Sequence, residues 1–347
     1  FAAEFGTGRE RLVLHATHTH SGPQAGRRFL GSLGVADDRF LAGLVEATLD
    51  SVRRALTGRL RVRVERASVP VRLGVDRRHV RTGGAHPATE VDHETSVLRF
   101  VDGSGGCAAL LVQQACHPVL HHANAVSADF TGAAMTALER DGAGVALYLQ
   151  GCCGDVNPDH YDGTELTPAS QDEVEAFGRR LSVAVAGLLR RDGWRREPAA
   201  VAVAERSFEV PVPVRPTPAE LEQLVHRPDP VGAWARLLRA DPARLTDPVT
   251  VRLTRLALTP ETGFLGFSAE LVTRYGRYTK QRSGARWIAL GYTNGMTGYL
   301  ITARHVAEGG YEPAESPYYF GLPGPFDPAV EQVVLAQIDR SVGPMTR

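Results

Sequence analysis

The sequence predicts an α/β fold, a mixed β-sheet core flanked by helices. Three observations carry that expectation. Short apolar runs of strand length alternate, though not strictly, with segments of helical periodicity. Several of those runs end abruptly in polar, histidine- or carboxylate-bearing loops, as strands do at a ligand-binding sheet edge. The chain of 347 residues, 43% hydrophobic and 22% charged, can bury a full core and has an ordinary globular composition.

Residues 12–16 read as a buried strand that runs into THTHSGP. Residues 37–56 read as a helix, because Phe40, Leu41, Leu44, Val45, Leu49, Val52 and Leu56 recur at helical spacing and Gly58 follows as a stop. Residues 60–69 begin by alternating arginine with apolar side chains, the pattern of an amphipathic or edge strand. Residues 96–101 and 108–114 read as paired strands across the turn at 102–106. Residues 131–140 form a short helix and 145–149 a buried strand. Ser170 and Glu173 make a capping box that opens a helix reaching Arg190. Residues 201–212 alternate as a strand. The proline-rich stretch 211–248 reads as an excursion with helical pieces at 218–225 and 231–240. Residues 249–258, 264–267 and 287–292 are further strands, and a helix over 330–342 closes the chain. Without internal repeats or low-complexity tracts, one domain over 1–347 is expected.

Lys+Arg and Asp+Glu both number 39, and Lys280 is the sole lysine. A balanced chain of this kind lacks the basic excess that nucleic-acid binding requires. No apolar stretch approaches the ~20 residues of a membrane span, so no stable membrane insertion is expected. No signal-peptide pattern opens the sequence. Neither the compartment nor the oligomeric state is encoded in these features. Cys107, Cys116, Cys152 and Cys153 form neither a CxxC pair nor a disulfide framework. The adjacent Cys152 and Cys153 read as small buried residues at a strand end rather than as soft metal ligands.

Four polar clusters follow apolar strand candidates: His18 and His20 after 12–16, His117 after 110–115, Glu270 after 264–267, and Tyr299 after 287–292. Two histidines, a carboxylate and a phenolate form a borderline N/O set suited to Zn²⁺. Such an ion, with a coordination position left open, acidifies water. Each residue also has a plainer role. Either histidine of the HxH pair could be an ordinary strand-end residue, Glu270 could start a helix and complement its dipole, and Tyr299 could be core. His121 and His122 read as solvated loop residues, and His15 as a strand residue without chemistry.

Taken together, THTHSGP (17–23), ACHPV (115–119), SADF (127–130), GDVNP (154–158) and GYLIT…GGYEPAES (298–316) resemble the N-terminal catalytic domain of the neutral ceramidase family. The motifs run in the family's order and cover nearly the whole chain. The resemblance implies a zinc amidase that cleaves an N-acyl bond, with His18, His117, Glu270 and Tyr299 as zinc ligands. It implies His20 as a substrate-contacting, proton-transferring residue and Arg77, in GVDRRHV, as the arginine near the scissile carbonyl, with Arg78 as the adjacent register. It implies Tyr311 as a second tyrosine that polarises the carbonyl oxygen. Asn157 stands where the family's ceramidases carry a required serine, and asparagine can hydrogen-bond a substrate but offers no hydroxyl. The expected substrate is therefore a smaller or more polar amide than ceramide. The family's full-length enzymes continue into a C-terminal β-sandwich and begin with strands ahead of THTHSGP, whereas this sequence opens almost on that motif and ends soon after the last one. Two other readings use the same residues: an ester or lactone hydrolase, and a metal-containing binding protein without catalysis. A barrel-type metal hydrolase with HxH on its first strand would need a regular eightfold repeat, which the irregular order of elements does not offer.

Overall fold

The computed structural model describes residues 1–198 and 200–343. Two mixed sheets dominate it. The first has the order Val145–Gln150, Cys107–Gln114, Glu94–Val101, Arg63–Pro70, Arg195–Glu197; its first pair is parallel and the others antiparallel. The second has the order Ala202–Val210, Val249–Ala257, Gly263–Phe267, Trp287–Leu290, and only its last pair is parallel.

Side-chain alternation explains how the layers stack. In the first sheet Val97, Leu110 and Val112 face the helices Asp129–Arg140 and Gln171–Leu189, packing on Phe130, Leu138, Leu181 and Val185. Their neighbours Leu98 and Leu111 point the other way. In the second sheet Leu253, Leu265, Phe267 and Trp287 face the helices Thr273–Ser283 and Val330–Val342, while Phe264, Ile288 and Leu290 turn toward the first sheet. The result is helix, sheet, sheet, helix. Both faces of each sheet are apolar, which is why strands such as GFLGF are buried throughout. Each fully buried Leu or Phe in these layers contributes roughly 1.5–3 kcal/mol.

The mixed α/β class agrees with the sequence expectation, although the strands divide between two sheets rather than one. The paired strands, the capping-box helix with both reciprocal bonds, and the closing helix lie within a few residues of their expected bounds. The proline-rich excursion holds helices Pro218–Leu224 and Pro230–Ala240. They form a small core of their own with Leu30, Trp234 and Tyr318.

Two expectations fail, and a third is met with a difference. Residues 12–16 form no strand; one bridge, His15 with Thr293, is their only ladder contact among the described residues, and Leu14 is exposed. Helix Asp38–Thr57 forms with Asp37 as its cap, but none of its residues is buried. Glu270 does not open a helix. It lies on the short strand Glu270–Leu271, paired in parallel with Tyr299–Leu300, and the helix begins at Thr273.

Candidate metal centre

The centre forms where the carboxyl ends of the two parallel strand pairs meet. After Cys107–Gln114 the chain passes through Ala115 and Cys116 to His117. After Val145–Gln150 it enters GCCGDVNP. After Gly263–Phe267 it reaches Glu270, and after Trp287–Leu290 it reaches Tyr292 and later Tyr299. Backbone hydrogen bonds stitch these ends together: Gly154 N–H to the Leu271 carbonyl (2.9 Å), His117 N–H to Val156 (3.0 Å), Tyr292 N–H to Ala269 (3.0 Å) and Glu270 N–H to Gly298 (2.9 Å). Glycine at 154 eases this approach, because a Cβ there would stand 3.1 Å from the Leu271 carbonyl oxygen, a tight contact. The THTHSGP loop is laid over these ends by Ala16 N–H to Tyr292 (3.2 Å) and His20 N–H to Pro118 (3.4 Å).

At the middle of the centre the His117 ring is completely buried. Its Nδ1 faces the Val156 carbonyl at 3.2 Å and must donate to it, so its Nε2 carries a lone pair. That lone pair points at Glu270 Oε1, 2.9 Å away. Both atoms are buried, and neither has a hydrogen-bond partner among the described residues. Burial, and after it the charge of Arg77, lowers the His117 pKa to about 3, which keeps its imidazole neutral at neutral pH. Two acceptors held face to face in a dry site call for a cation. His18 Nε2 lies 3.6 Å from Glu270 Oε2 and 3.1 Å from His20 Nε2. Crowding by protein also lowers the His18 pKa, which favours the neutral, ligating imidazole. The ligand atoms of His18, His20 and His117 lie within 4.8 Å of one another, as do those of His117, Cys153 and Glu270. The donor set could hold a metal ion.

Around this set lie the other residues expected from sequence. The Tyr299 hydroxyl faces Arg77 Nη2 at 3.3 Å, and its ring stands edge-on to Tyr311 at 5.8 Å. Burial and the Glu270 charge push the Tyr299 phenol well above its usual pKa, and the same causes bring Tyr311 to about 12. Arg77 is held by Glu312 at 2.7 Å. Arg78 turns instead to Glu312, Glu308 and the Gly309 carbonyl, so Arg77 is the one that faces the tyrosine. Asn157 sits on the short strand Val156–Pro158; its amide nitrogen donates to Tyr161 (2.9 Å), and its buried Oδ1 has no partner among the described residues.

No protein-family model matches the sequence. No curated protein matches it either. Solved structures do match in shape, among them two ceramidases. One is neutral ceramidase from Pseudomonas aeruginosa, at 20% identity and a TM-score of 0.72, over 99% of this chain and 63% of that one. The chain has the neutral ceramidase fold. The other structure, a ceramidase complexed with C2, superposes at a TM-score of 0.72 with 18% identity over 100% of this chain and 64% of its own length. This chain thus spans a little under two thirds of the length of the ceramidases it matches.

Within the ceramidase fold three residues join the centre that sequence reasoning passed over. Tyr292 stacks on His18, with ring centroids 4.1 Å apart, and its hydroxyl reaches Cys153 Sγ at 3.1 Å. Glu312 anchors both arginines. Cys153, read from sequence as a buried strand-end residue, is indeed fully buried but lies beside His117 and Glu270. A signal for Glu312 was available in its place directly after Tyr311 in GGYEPAES. His15, by contrast, is structural: its Nε2 accepts from Gln150 N–H (2.8 Å), so its Nδ1 donates to Thr293 (3.0 Å). His121 is tied to Ser21 and Asp129 rather than free in solvent.

Proposed function

We propose that this chain is a metal-dependent hydrolase of a linear amide bond, a ceramidase-like amidase that takes a small or moderately polar N-acyl substrate. The observation that carries the reading is the pair of buried, unpartnered acceptors, His117 Nε2 and Glu270 Oε1, facing each other at 2.9 Å. In this reading Zn²⁺ is held by His18, His117, Glu270 and Tyr299. The ion would supply Lewis acidity toward the substrate carbonyl and acidify water.

The chain's own residues supply the rest. Arg77, fixed by Glu312, places positive charge where the carbonyl oxygen becomes negative. Tyr311, half-buried and protonated at neutral pH, donates a hydrogen bond to that same oxygen. His20, at the exposed rim and in contact with His18, passes a proton to the leaving amine. Asn157 offers its free Oδ1 as an acceptor for a substrate N–H or O–H.

The test is metal analysis and turnover of a panel of N-acyl substrates by the wild type and by His18→Ala and His117→Ala. We expect about one zinc per wild-type chain, with both metal and turnover lost in the variants. Full occupancy together with undiminished turnover in both variants would sink the reading.

A further inference from the structure

We infer that Cys153 is a thiolate donor to the ion held at this centre. The inference rests on the metal reading above and adds a soft ligand to it. Cys153 Sγ belongs to a set with a His117 ring nitrogen and a Glu270 carboxylate oxygen in which all ligand atoms lie within 4.8 Å. The other two residues of that set also carry buried atoms without partners among the described residues, His117 Nε2 and Glu270 Oε1. The cysteine therefore stands beside residues whose own polar groups are unsatisfied.

The sulfur's other neighbours suit an anion. Gln150 Nε2, which can only donate, lies 2.7 Å from Sγ. The Tyr292 hydroxyl comes within 3.1 Å from another side and is free to donate as well. A neutral thiol is a weak acceptor, whereas a metal-bound thiolate accepts such bonds well. Its neighbour Cys152 serves as an internal comparison. It is also buried, yet its Sγ turns toward the Ala289 carbonyl (3.8 Å) in the second sheet, away from the histidines. Of two adjacent cysteines, the turn after Val145–Gln150 aims one at the centre.

The chemistry is simple to balance. Ligation breaks the S–H bond and forms a sulfur–metal bond, the proton leaves to solvent, and no electron changes hands. A sulfur ligand biases the site toward Zn²⁺, Co²⁺ and other thiophilic ions and against Mg²⁺ or Ca²⁺.

The experiment loads wild-type protein, Cys153→Ser, Cys153→Ala and Cys152→Ser with Co²⁺, measures bound cobalt by metal analysis, and records the absorption spectrum. The wild type and Cys152→Ser should show a thiolate-to-cobalt charge-transfer band in the near ultraviolet beside the visible ligand-field bands. Both Cys153 variants should lose the charge-transfer band. Cobalt bound by the wild type without that band, or a band that survives in Cys153→Ala, overturns the inference and leaves the metal reading standing. A wild type that retains no cobalt overturns both. Should the variants misfold, the wild-type and Cys152→Ser spectra still decide.

Discussion

His18 shows in one residue what the centre demands of the chain. Its φ is +68°, a left-handed conformation that costs a non-glycine residue on the order of 1–3 kcal/mol. Tyr292, which stacks on it, has φ +49° and is strained in the same way. No spacing rule announces such strain, because it arises from contacts between segments more than 250 positions apart. Glu312 likewise owes its role to partners distant in sequence, Arg77 and Arg78. Burial alone would raise its carboxyl pKa, but the charges of Arg77 and Arg78 outweigh that and hold it at about 2. A carboxylate depressed in the folded state contributes stability that is present above its unfolded pKa near 4.5 and lost as pH falls toward 2. Glu312→Gln should therefore lose about 3 kcal/mol at neutral pH, by leaving two buried arginines without their shared partner. It should also flatten the fall in Tm between about pH 4.5 and 2; thermal melts across that range check both points. His18, His117, Glu270 and Tyr299 could be picked from sequence as candidates because each comes after an apolar run, although the run before His18 forms no strand. Tyr292 could not, because its partners come from other loops, and Glu312 showed only through its place beside Tyr311 in GGYEPAES.

Among the elements, those governed by local rules were the legible ones. Helix Gln171–Leu189 is announced by Ser170 and Glu173, and both bonds of the box form. Ser170→Ala should destabilise the protein by about 1 kcal/mol, seen as a lower urea midpoint with an unchanged slope. Paired strands with a tight turn were equally readable. Residues 12–16 misled because their composition is that of a strand while the ladder partners a strand needs are missing there. Glu270 misled because a two-residue strand, Glu270–Leu271, intervenes before the helix. That strand exists to pair with Tyr299–Leu300, a long-range match that no local pattern encodes. Residues 287–292 were read as one strand, but the ladder stops at Leu290, where the chain leaves the sheet to bring Tyr292 onto His18.

For the whole molecule, the decisive feature is that the centre belongs to neither sheet alone. His117 and Cys153 follow strands of the first sheet, and Glu270 and Tyr299 follow strands of the second. Periodicity could assign each strand to the apolar interior but not divide the strands between two sheets, since a strand buried on both faces reads the same in either. An ion bound only to the folded state stabilises it by about 2.7 kcal/mol at a free concentration roughly a hundred times its Kd. Zinc should accordingly raise Tm, a chelator should reverse the rise, and His117→Ala should show neither response in a thermal melt. The seam also makes the centre a gauge. Interiors packed this tightly transmit strain, so a substitution far out in either sheet that slides one layer against the other changes the spacing of donors drawn from both. The bound ion would register that slip as a change in its ligand field, turning the coordination sphere into a caliper laid across the fold.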